Sequence, residues 1–79
     1  MNALSEYQRM LRVVFRDERN GNDLTPEVIL PAIPAVGEPV YIRERPHHRP
    51  QTGRVTARHW NIVTKEPENS EVIVLIKLD

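Results

Sequence analysis

The chain has 79 residues, enough for one domain whose single core supplies only about 3–5 kcal/mol of net stability. It has no cysteine, which excludes disulfides and thiolate zinc sites. Its eleven basic residues balance its eleven acids, whereas nucleic-acid-binding domains usually carry a net basic excess.

The neutrality is only global. Residues 40–60 hold Arg43, Arg45, Arg49, Arg54, Arg58 and all three histidines against one acid, Glu44, so the remaining residues are acid-rich. Nine of the basic residues are arginine, whose planar fork suits carboxylates and phosphates. The longest apolar stretches, residues 72–76 and 28–36, are far shorter than the roughly 20 residues of a membrane helix. Residues 1–6 have neither a basic start nor an apolar run, so a cytoplasmic protein without a secretory signal is expected.

In chain order, Ser5-Glu6-Tyr7-Gln8 matches a capping box, which predicts at most a short helical turn or tail over residues 1–9. The domain proper is expected over 10–79. Leu11, Val13 and Phe15 alternate with Arg12, Val14 and Arg16, which predicts a first strand over 10–17. The Asn20-Gly21 step then favours a tight reversal. A second extended piece over 24–30 is interrupted at Pro26, which suits an edge. Pro31 and Pro34 impose a polyproline-like path that Ile33 and Val36 are expected to pin to the core. Gly37-Glu38 turns the chain into a third strand over 40–45.

Residues 46–53 contain no apolar side chain and end in Gly53, the pattern of an exposed hairpin loop. Alternation resumes over 54–63, with Val55, Ala57 and His59 on one face and Thr56, Trp60 and Ile62 on the other. Two apolar sets on one strand predict a central strand or a bulge near Trp60. After a turn at 65–70, residues 71–78 are an almost unbroken Val/Ile run, which implies burial on both faces or barrel closure. Five short strands avoid open edges most economically by closing, so an all-β, five-stranded SH3-like or OB-like barrel is expected. Its expected core is Phe15, Ile29, Val36, Val40, Ile42, Val55, Val72, Val74 and Ile76.

A first strand ending in Arg16-Asp17, then Leu30-Pro31-x-Ile33-Pro34-x-Val36-Gly37-Glu38-x-Val40, then Gly53-x-Val55 to Trp60 and a terminal Val/Ile strand, resembles small single-barrel proteins of unknown function encoded by phages and prophages. The likeness runs over about residues 11–78. It implies a short accessory protein that binds a host or viral component, in the host cytoplasm, and it assigns no functional residues.

The chemistry-bearing residues point to binding rather than catalysis. Ser5 and Ser70 are the only serines and neither stands near a histidine, which argues against a hydrolase triad. Neighbouring His47 and His48 point apart and with His59 lack a convincing fourth ligand, so no metal and no cofactor is expected. Pro31-Ala32-Ile33-Pro34 spells a PxxP ligand, but its buried Ile33 makes it structural punctuation. The expected partner-binding set is Arg43, Arg45, His47, His48, Arg49, Arg54 and Arg58, with Tyr41 and Trp60 as candidate stacking residues. The first reading is a non-catalytic module, an accessory or inhibitor protein, docking the hairpin 43–54 on an acidic protein surface. The alternatives are a nucleic-acid-binding barrel and capture of a small anion such as a nucleotide.

Overall fold

A computed structural model describes residues 10–79. The tail or helical turn expected over 1–9 lies outside the described residues. Five strands form one sheet: β1 (Leu11–Asp17), β2 (Val28–Leu30), β3 (Pro39–Ile42), β4 (Gln51–Asn61) and β5 (Glu71–Leu78). A 3₁₀ turn, Pro67–Asn69, precedes β5. The spatial order is β2-β1-β5-β4-β3, with β1 parallel to β5 and every other pair antiparallel. Among the described residues no helix is long and apolar enough to cross a membrane.

The all-β expectation holds, but the sheet is a curled half-barrel and does not close. β2 and β3 are its two edges and do not pair with each other. The edges are three and four residues long. Pro26 and Pro31 flank β2, and Pro39 opens β3, so neither edge offers a row of donors long enough for a closing ladder or for pairing with another chain. The edge strands are shorter than the alternation implied, because Pro26 breaks the second extended piece and residues 43–45 already belong to the loop.

What covers the open side is the proline-rich connection. Residues 31–38 must carry the chain from one edge strand to the other, across four inter-strand spacings, about 19 Å. At about 3.1 Å per residue a polyproline-like path reaches about 25 Å, so the crossing needs the extension the two prolines impose. Ile33 packs on the core, which places the crossing on the core face. Its far end is tied to β4: the Gly37 amide donates to the Val55 carbonyl at 2.8 Å, and the Val55 amide donates to the Glu38 carbonyl at 3.0 Å. Gly37 has φ 93°, a left-handed conformation that glycine adopts without strain.

Directly opposed residues on neighbouring strands share a face, so the register assigns the core. Val13, Phe15, Val72, Val74, Ile76 and Val55 form the buried inner cluster. Val14, Ile73 and Leu75 lie on the outer face, which explains the unbroken apolar run of β5 at the centre of the sheet. Two expected core residues are wrong: Ile29 is 59% and Val36 58% exposed. Ile29 opposes Arg12 across β1 and β2 and so faces outward on an edge, while Val36 sits in the turn that Gly37 completes.

The irregularity in β4 lies earlier than expected. Val55 opposes Ile76 but Ala57 opposes Leu75, so the bulge is at 55–57 and not near Trp60. Beyond it the faces exchange. Arg58 and Trp60 oppose Val74 and Val72 and share the inner face with Val55, whereas Ala57 and His59 turn outward. The expected grouping of Val55 with Ala57 and His59 is thereby reversed.

Candidate functional site

The longest exposed polar segment is the loop joining β3 to β4. Arg43, Arg45, His47, His48 and Arg49 are all exposed there, with Glu44 the single acid among them. The loop is shaped by its own contacts: the His48 amide donates to the Arg45 carbonyl at 3.0 Å, and Arg43 Nη1 donates to the Pro46 carbonyl at 3.2 Å. The His47 and His48 rings meet edge-on with centroids 4.5 Å apart. Among the described residues two ion pairs form, Arg12 with Glu27 at 2.6 Å and Arg16 with Asp23 at 2.7 Å, and neither involves the loop.

The fold divides the expected binding set. Arg43, Arg45, His47, His48 and Arg49 stay together at one end of the sheet. Arg54 leaves them, because its Nη1 donates to the Gly37 carbonyl at 2.9 Å and holds the crossing segment against β4. Arg58 lies beyond the bulge, opposite Val74, in the other half of β4. Tyr41 and Trp60 are exposed, at 65% and 56%, but they do not form one platform. Tyr41 opposes Thr52 at one end of β4 and Trp60 opposes Val72 at the other, about 26 Å apart along the strand and on opposite faces.

Among the described residues no group of three His, Asp or Glu side chains converges as metal ligands. The space against Arg54 is about 120 Å³, bordered by Tyr41, Thr52, Gly53 and Asp79. It is below the usual ligand-pocket range, and the Asp79 carboxylate on its border accepts from the Thr52 hydroxyl at 2.7 Å.

A larger feature escaped the sequence reading. At the sheet end opposite the loop, where β1 and β5 begin and β4 ends, an open groove of about 730 Å³ is lined by Met10, Ile29, Trp60, Glu68 and Glu71, among others. Arg12 organises its wall, since its Nε donates to Glu27 Oε1 at 2.7 Å while its Nη1 donates to the Glu68 carbonyl at 2.9 Å. The available signal was the conjunction of an edge isoleucine with a bulge that turns Trp60 inward. Comparison with protein families, with curated proteins and with solved structures finds no match.

Proposed function

We propose that the chain is a non-catalytic binding module that docks the loop between β3 and β4 on an acidic surface of a protein partner. The observation that carries this reading is the five-residue set Arg43, Arg45, His47, His48 and Arg49, exposed together on a loop braced by its own hydrogen bonds. Guanidinium groups already outside any ion pair among the described residues lose no existing pair on meeting a partner's carboxylates, and forked bonding gives the contact direction. Arg54 is assigned to the scaffold and Arg58 to the far half of β4. A setting among phage or prophage accessory or inhibitor proteins in the host cytoplasm rests on the resemblance of residues 11–78 alone.

The test is a pull-down from cell lysate with three versions of the chain. The native protein should capture an acidic partner, Arg45→Glu with Arg49→Glu should lose it, and Arg45→Lys with Arg49→Lys should retain only part. Full capture by the reversed variant would overturn the proposal. Capture of nucleic acid instead, with an affinity that falls steeply with salt, would replace the protein partner by phosphate contacts.

A further inference from the structure

The two ends of the molecule are chemically complementary. The longest dimension is 40 Å, and β4 runs from the arginine loop at Gln51 to the groove at Asn61. In the groove, Glu27 is taken up by Arg12, while Glu68 and Glu71 have no ion-pair partner among the described residues. Trp60, 56% exposed, lines the same groove. An indole beside carboxylates is a receptor for guanidinium, since the cation stacks on the ring while its edge donates to oxygen.

We propose that this groove receives the β3–β4 loop of a second copy of the chain, so that copies associate head to tail. The inference rests on the reading of that loop as a docking element and names a partner for it. Arg45 and Arg49 of one copy meet Glu68 and Glu71 of the next, one guanidinium lies over Trp60, and Pro46 or Pro50 contacts Ile29. Donor and acceptor are different surfaces at opposite ends, so the contact is heterologous: each copy that uses its loop still offers its groove. The assembly therefore grows with concentration rather than stopping at a symmetric dimer.

Sedimentation velocity of the full chain, from micromolar to millimolar protein and at low and physiological salt, tests this. The expected result is a sedimentation coefficient that rises with concentration and falls with salt. Arg45→Glu with Arg49→Glu, Glu68→Arg with Glu71→Arg, and Trp60→Ala should each lower the association constant by about tenfold or more, with melting curves checking that each variant is folded. The decisive sample mixes the loop variant with Trp60→Ala, whose own loop is intact and whose impaired groove keeps the acids that repel a glutamate loop. One intact loop and one intact groove remain in that mixture, so it should form a one-to-one heterodimer that grows no further. A native chain that stays monomeric throughout overturns the inference, as does a mixture that forms no heterodimer while the native chain associates. A monomeric native chain that still captures a foreign acidic partner through Arg45 and Arg49 overturns the head-to-tail contact and leaves the docking loop standing.

Discussion

Gly53 shows how a single residue can read as one thing in sequence and be another in the fold. Next to a polar loop, a glycine reads as its end; in the structure it is buried inside β4, between Val40 of β3 and Leu78 of β5. A Cβ there would stand 2.6 Å from the Lys77 carbonyl oxygen and 2.7 Å from Ile76 Cγ2, and the first of these is backbone that cannot swing away. Glycine is needed because β4 and β5 approach closely, a tertiary fact no local pattern announces. Gly53→Ala should therefore cost at least about 1–3 kcal/mol in denaturant unfolding, the range for overpacking a filled interior. Val74→Ala, at the fully buried centre of β5, should cost about 1–3 kcal/mol for the opposite reason, a cavity. His48→Ala should stay within about 0.5 kcal/mol, since the ring is exposed. Equal losses for all three would contradict the burial assigned to them.

At the scale of elements, the chain's punctuation was legible and its consequences were only partly so. β1 and β5 lie where alternation and the Val/Ile run placed them, because each is long and its pattern is dictated by a buried face. The ends of β3 and β4 were not readable, since a hairpin ladder extends into polar Gln51 and Thr52 by backbone bonding alone. The bulge was signalled by two apolar sets on one strand, but its position depends on which β5 residue each meets. The crossing segment offers a direct check, because Ile33 is half-buried against the core and Val36 is exposed. Ile33→Ala should lower the unfolding midpoint clearly, whereas Val36→Ala should shift stability by less than about 0.5 kcal/mol. Arg54→Gln should act through the same segment, weakening its tie to Gly37 and lowering stability while leaving partner capture by Arg45 and Arg49 intact. Loss of capture without loss of stability would return Arg54 to the binding set.

The whole molecule is neutral in sum and divided in space, and the division was half visible in the sequence. The basic pole is one continuous segment and could be read off directly. The acidic groove is assembled from Arg12, Glu27, Glu68 and Glu71, which stand on three separated stretches of chain and meet because β1 pairs both with β2 and, in parallel, with β5. Over a 40 Å molecule at physiological salt the two poles are electrically independent, because the Debye length is about 8 Å. Net charge is then the wrong quantity for predicting encounter with a partner, and the local charge of the loop is the right one. Glu68→Lys with Glu71→Lys makes the chain net basic, yet at physiological salt it should change the association rate with a foreign acidic partner, which does not use the groove, by less than about twofold. Arg49→Glu, a smaller change in net charge of the opposite sign, should slow the same association by about tenfold. At low salt, where the Debye length grows to about 30 Å, the distant lysines should begin to accelerate encounter. Stopped-flow association rates for the two variants at both salt concentrations measure this, and a rate that followed net charge at physiological salt would show that contact is not made through the loop.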